Sequence, residues 1–530
     1  MNNGSFGRLS GGMIILPLYF AVTLCIGWIA RRQSRSSNAY LNASRSLPLG
    51  IVCAAYLASN CGALEIVGLS AMAAQYGARA FHFYWIGAIP AMVFLALCMM
   101  PVYRAAGVNS VPEYLAVRYG PYARLLNSCV VAIMMLLLGG ISLYAMAQVL
   151  EVIAGVHFVT SVLISASVVL TYVLLGGIKA TIYNEVFQLV VMLAGLVPLA
   201  IRNFRFALPS TVENARAHLW LGTPLVSQSA PMDGLGIVFG LGFVLSFSYW
   251  CTDFVLMQRA FTARTEADAR QVPLWAGFGK LLFSFLVVVP GLAAFKLFPS
   301  LGHEHRFDQA LPMLITVSYG PIMLGLGLTA LVASLMSGLA ANVSAFASVW
   351  TDDIYCARLR PSQSDRHYLK VGRSAAALAV LISALASYMT FLFHDLMEHV
   401  QLIFSVFGAP FWAIFLLGIT TRRTTERGAI LGFCSGTAVA LLHLLAVTQG
   451  WLHYGTLMNA NFHAASYAFC VACAVAWVAS GQRTGTGQRS AAGAFNFNWR
   501  AGLNGERLAL LWTLSTALLL ACIALNILWR

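Results

Sequence analysis

Apolar runs of roughly eighteen or more residues, nearly free of charge, recur along the whole 530-residue chain. That feature limits the fold more than any other. A run of this length matches the hydrocarbon thickness of a bilayer when helical, and in lipid every backbone N–H and C=O must find its partner within the protein. The chain therefore reads as all-α and polytopic, a bundle of bilayer-spanning helices. Composition closes the other routes: 59% of residues are hydrophobic and 9% charged, against about 25% charged in a soluble domain. Soluble, disordered and disulfide-scaffold folds are excluded. The net charge of +14 would suggest nucleic acid in a soluble chain. Here it reflects arginines anchoring cytoplasmic loops, so the expected partners are the lipid bilayer and a small solute, with no nucleic acid.

About fourteen spans are expected, near 11–30, 48–77, 82–103, 125–150, 158–175, 184–201, 235–257, 273–297, 321–350, 371–394, 400–420, 429–448, 463–480 and 508–528. They organise as a single transporter domain over 1–530, with a leading helix (11–30), a first repeat (48–201), a second repeat (235–420) and three C-terminal helices (429–528). Alternate loops carry the basic residues, among them Arg31, Arg32, Arg35 and Arg45, then Arg104, Arg118 and Arg124, and later Arg483, Arg489 and Arg500. These loops should be cytoplasmic, and an even span count then places both termini outside, in a plasma or inner membrane. The first apolar run precedes Arg31 and Arg32 instead of following a basic stretch, so it reads as a retained helix and not a secretory leader. The Gly-rich stretch at 481–499 reads as a flexible inside linker.

Most cysteines lie inside apolar runs and read as small core residues. The Cys470/Cys473 pair does so too, despite its redox-like spacing. The His303–His305 run reads as a solvated loop. Two apolar runs are interrupted by small polar residues, Ala58-Ser59-Asn60-Cys61-Gly62-Ala63 and Leu245-Ser246-Phe247-Ser248-Tyr249. Unwound backbone at mid-bilayer is tolerated where it lines a cavity, and its carbonyls can hold a cation. The same residue types also serve close helix packing, and both readings stand. Charges within spans are costly, which singles out Glu65, Asp253, Lys280 and Glu185. Asp253 and Glu185 fit a helix cap or an ion pair as well as a pathway. Lys280 fits either a buried site or snorkelling to the membrane edge. In Ala333–Asn342, Ser334, Ser337 and Gly338 share one helical face, which suits either a monovalent ion or packing.

Six segments are specific when taken together. They are YRAAGVNSVPEYLAVRY from Tyr103, LLGGIKATIYNEVFQ from Leu174, YWCTDFVLMQR from Tyr249, ASLMSGL from Ala333, TDDIY from Thr351 and FLLGITTRRTTERGA from Phe415. In that order they closely resemble the sodium:solute symporter family, the group containing the sodium/glucose cotransporters. The resemblance implies a LeuT-like core of two inverted five-helix repeats working by alternating access, with sodium as the co-transported ion. It places the main sodium site at the backbone oxygens of Ala58 and Cys61 with Ser334, Ser337 and Gly338. Family members usually carry a hydroxyl at the position of Gly338. A second ion site of some relatives would use Glu185, with Ala340 and Ala341 standing where hydroxyls are found. The resemblance therefore implies a single coupled ion, with Glu185 a possible proton site. For the solute it implies Asn60, Glu65, Trp85, Ser246, Tyr249 as an aromatic gate, Trp250, Lys280 and Gln401, a set suited to a sugar or sugar-like compound. Trp85 replaces an acid of the sugar-transporting relatives, and Glu65 replaces a His or Gln.

The leading reading is a secondary active symporter. The alternatives are a proton-coupled symporter of a carboxylate or other organic solute, motivated by Gly338, Ala340 and Ala341, and a sensor that binds solute without accumulating it. No assembled nucleophile, metal triad or phosphate loop points to an enzyme. The solute, the stoichiometry and the oligomeric state are not readable from the sequence.

Overall fold

The computed structural model describes residues 14–31, 47–62, 64–108, 110–206, 218–393, 395–481 and 505–530. Arg32, Arg35, Arg45, Ala63, Arg483, Arg489, Arg500 and nearly all of the linker at 481–499 lie outside the described residues. Within them the fold is built from helices: α1 (Ile15–Arg31), α2 (Leu49–Asn60), α3 (Leu64–Phe81), α4 (Phe83–Ala105), α5 (Val111–Arg118), α6 (Pro121–Ala154), α7 (Phe158–Asn203), α8 (Gly236–Thr252) and α9 (Phe254–Ala260). The remainder are α10 (Glu266–Leu297), α11 (Ala310–Ser318), α12 (Pro321–Leu359), α13 (Asp365–Leu392), α14 (Leu396–Thr420), α15 (Glu426–Thr448), α16 (Leu457–Ala479) and α17 (Gly505–Leu528).

Ten of these helices are long and apolar enough to cross a bilayer, or up to twelve if each bent pair is one span. The apolar segments Ile15–Ile29 and Phe158–Thr171 occupy two of the expected span positions but are shorter than that. The chain is helical from Phe158 to Asn203, where the sequence pointed to two spans with a loop near 176–183. Gly176 and Gly177 cost a helix only about 1 kcal/mol each, and in a bilayer no other partner is available to the backbone.

The two bent pairs are α2/α3, at 53°, and α8/α9, at 49°. The first falls where the sequence placed it. The second does not: Ser246–Thr252 is helical, and the break comes at Asp253. Ser246 and Ser248 act instead at helix contacts. A Cβ on Gly87 would sit 2.6 Å from Ser246 Oγ, and one on Gly408 would sit 2.7 Å from Ser248 Oγ. Asp253 leaves the helix at φ −64°, ψ 128°, and its Oδ1 accepts the Leu256 amide at 3.0 Å, starting α9 as an N-cap.

Contacts divide the chain into two compact units. The first comprises Met1–Phe81, Met135–Leu219 and Leu281–His399. In it α7 and α12 run antiparallel, with Gly195 against Ala330 and Thr181 Oγ1 3.2 Å from Ser344 Oγ. α1 lies on α7 through the stacked rings of Tyr19 and Phe187. α13 meets α6 where Ser383 Oγ donates to the Leu136 carbonyl.

The second unit comprises His82–Met134, Trp220–Lys280 and Val400–Arg530. Its α15 and α16 pack through a small-residue stripe. Cβ atoms on Gly428, Gly432 and Gly436 would fall 2.7, 2.6 and 2.7 Å from the carbonyls of Ala476, Ala472 and Ala468. Without water to drive association in lipid, such close backbone approach is a main source of helix adhesion. Two of the family-like segments meet here as well. Arg118 donates to the carbonyls of Gly418, Thr421 and Thr424, and Glu426 Oε1 accepts the amides of Tyr122 and Ala123 at the start of α6.

Candidate ion and solute sites

At the end of α2 the hydrogen-bond ladder turns back on itself. The Gly62 amide, which would ordinarily reach Ala58 O, donates to Asn60 O at 2.8 Å. The Ala58 carbonyl is thereby released from the ladder and accepts Ser337 Oγ of α12 at 3.2 Å. The backbones come close because of glycine: a Cβ on Gly62 would lie 3.1 Å from Gly338 Cα and 3.7 Å from Ser334 O. Ala58, Cys61, Ser334 and Ser337 are each 0% exposed. Ser334 Oγ has no hydrogen-bond partner among the described residues. A buried hydroxyl without a partner is costly unless a ligand completes it. These uncharged oxygens suit a hard monovalent cation, whereas calcium sites draw heavily on Asp and Glu carboxylates.

The α7/α12 register carries further. With Thr181 opposite Ser344 and Gly195 opposite Ala330, Glu185 stands level with Ala340 and Gln188 level with Ser337. Glu185 is fully buried, and Ala340 and Ala341 bring no side-chain oxygen to it. Gln188 Nε2 donates to Tyr19 OH at 2.9 Å, and Tyr19 OH reaches Met336 Sδ at 3.8 Å. Gln188 and Tyr19 were not singled out from the sequence. The signal for Gln188 is an amide inside an otherwise apolar run.

The solute candidates fall in both units. In the first, Asn60 and Glu65 are buried on either side of the α2/α3 break. In the second, Lys280 is buried to 1% exposure, so it does not snorkel. Its Nζ lies 5.5 Å from the Trp250 ring centroid and 5.9 Å from that of Tyr84, within cation–π reach. Tyr249 packs edge-on to both Trp250 and Phe404. Ser246 and Gln401 are buried on α8 and α14. Trp85 packs edge-on to Trp529 at 6.0 Å, and it is the neighbouring Tyr84 that meets Lys280. Tyr84 and Phe404 are thus additions from the structure. The His303–His305 loop is exposed, and Cys470 and Cys473 are free thiols.

Two bent helix pairs in an apolar bundle, one of whose breaks frees a backbone carbonyl, follow the pattern of an ion-coupled membrane transporter. The particular family is equally clear: the chain belongs to the sodium:solute symporter family, whose profile matches residues 40–436. A sodium/glucose cotransporter of Vibrio parahaemolyticus is 26% identical over 474 residues, covering 83% of this chain and 86% of its own. A sodium/mannose cotransporter of Bos taurus is 29% identical over 471 residues, covering 81% and 78%. Among solved structures, a Na+-coupled sialic acid symporter in a substrate-bound outward-open state aligns with TM-score 0.76. It has 18% identity and covers 88% of this chain and 97% of that one, so the LeuT-like fold is shared. The chain is a transporter and not an enzyme.

Proposed function

We propose that this protein is a sodium-coupled symporter that takes up a small polar solute, a sugar or sugar-like compound, by alternating access. The observation that carries the reading is the Ala58 carbonyl, freed at a helix break and met by Ser337 across from α12. A cation at Ala58, Cys61, Ser334, Ser337 and the Gly338 backbone would satisfy Ser334 Oγ and hold the α2 break to α12. Its binding energy then biases the protein toward the conformation that accepts solute. The names of the cotransporter relatives favour glucose-like or mannose-like solutes. In the second unit Ser246, Lys280 and Gln401 offer hydrogen-bonding groups for a polyol and Tyr249, Trp250 and Tyr84 offer rings; in the first unit Asn60 and Glu65 are the hydrogen-bonding candidates. On this reading the fourteen expected spans cross the membrane with both termini outside, which requires the continuous helix at Phe158–Asn203 to open near Gly176 and Gly177, and 1–530 acts as a single transporter domain.

A proton-coupled variant is the second reading, favoured by the missing hydroxyls at Gly338, Ala340 and Ala341 and by buried Glu185. Uptake of labelled sugars into proteoliposomes, with sodium and pH gradients imposed separately, distinguishes the two. Accumulation is expected to follow the sodium gradient. Accumulation that follows pH alone removes sodium from the account, and solute binding without accumulation in either gradient makes the protein a sensor.

A further inference from the structure

In the first unit, the antiparallel helices α7 and α12 present two facing stripes. Thr181 stands opposite Ser344, their hydroxyl oxygens 3.2 Å apart, and Gly195 stands opposite Ala330, whose Cβ a side chain on Gly195 would meet. Residues two helical turns apart share a face. Gln188, midway between Thr181 and Gly195, therefore faces Ser337, midway between Ser344 and Ala330. The third wall is α2, whose Ala58 carbonyl accepts Ser337 Oγ. Gln188 is buried to 1% exposure, and its Nε2 donates to Tyr19 OH of α1 at 2.9 Å. Tyr19 OH in turn donates to Sδ of Met336, the residue beside Ser337. The amide oxygen is left over: Gln188 Oε1 is buried with no hydrogen-bond partner among the described residues. Ser334 Oγ, one turn from Ser337, is in the same state.

Two orphaned oxygens beside one freed carbonyl are a costly arrangement for packing alone, because each has given up water without a replacement. A cation among them reverses the sign, since neutral amide, hydroxyl and carbonyl oxygens can replace the hydration shell of a hard monovalent ion. We propose that Gln188 is a further ligand of the cation site, its Oε1 standing in for the hydroxyl that Gly338 cannot bring. Tyr19 is then a positioning residue: it takes the amide N–H and leaves the oxygen for the ion. The inference rests on the sodium-symporter reading above and extends that site from α2 and α12 to α7. Through Tyr19 it also gives the leading helix α1 a part in ion affinity. It invokes no titration, and Glu185, one turn away on α7, plays no role in it.

The test is a sodium titration of melting temperature on the purified full-length protein, with potassium at equal ionic strength as the reference for each variant. Gln188→Met keeps the side chain's length and removes the oxygen. It should raise the sodium concentration for half-maximal stabilisation by about tenfold, the cost of one charge-assisted contact. Gln188→Asn keeps an amide but withdraws it by one methylene, and should weaken sodium in the same direction. Tyr19→Phe should weaken it less, because the oxygen remains. A spectroscopic readout separates a ligand from a packing residue. The sodium-minus-potassium infrared difference spectrum of the parent should contain a shifted side-chain amide C=O stretch that Gln188→Met lacks and Tyr19→Phe retains. If sodium stabilises the parent and Gln188→Met with the same midpoint, or if the amide band persists in Gln188→Met, the assignment of Gln188 is overturned and the symporter reading stands. A parent that responds to sodium no differently from potassium overturns both.

Discussion

Ser337 and Ser348 lie on the same helix with different partners. Ser337 Oγ crosses to the Ala58 carbonyl at 3.2 Å, whereas Ser348 Oγ makes a local bond to the Ser344 carbonyl at 3.1 Å. If the freed carbonyl holds the ion, Ser337→Ala should raise the sodium concentration for half-maximal uptake by about tenfold, the cost of one charge-assisted contact. Ser348→Ala should leave it near the parent value, and equal effects of the two changes would reject the placement. The juxtaposition was expected from the family resemblance; the small polar residues by themselves fitted helix packing as well as an ion site. Lys280 was only half legible. Its depth in the run marked it as unusual, but the rings of Trp250 and Tyr84 that hold it come from distant positions in the chain.

At the scale of elements, composition located one break and misplaced the other. Ser246 and Ser248 look like the residues of the first break, yet they are helical and lie against Gly87 and Gly408. Asp253 carries the second break, since a carboxylate that accepts the Leu256 amide both ends α8 and starts α9. Backbone geometry of this kind depends on which amides a side chain can reach. The α15/α16 stripe makes a complementary point. A Cβ on Gly432 would meet a backbone carbonyl at 2.6 Å, which cannot rotate away. Gly432→Ala should therefore cost about 1–3 kcal/mol, read as a lower melting temperature of the purified protein in detergent. A variant as stable as the parent would show that the two helices separate without penalty.

Across the whole molecule, a ligand that binds the folded state alone stabilises it by mass action. Sodium at a hundredfold excess over its Kd should add about 2.7 kcal/mol, seen as a rise in melting temperature that potassium does not reproduce at equal ionic strength. A transported sugar should add to that rise more strongly with sodium present than without it, because coupling is reciprocal. If sodium and potassium act alike, the uncharged oxygens around Ser337 are packing and nothing more. The same screen, run over sugars, polyols, sugar acids and carboxylates, identifies the solute class.

The sequence by itself determined the membrane-spanning helical class and, through its resemblance, the family, which carried the expectation that Ala58 meets Ser337. Apolar runs of bilayer length have one way to satisfy their backbone, and six segments in register leave little freedom for the rest. Tertiary structure alone decided that Asp253 ends α8, that Tyr84 and not Trp85 meets Lys280, and that Gln188 stands level with Ser337. Those outcomes depend on which side chains from remote parts of the chain converge, and on how far each lies from water. Periodicity and composition record neither.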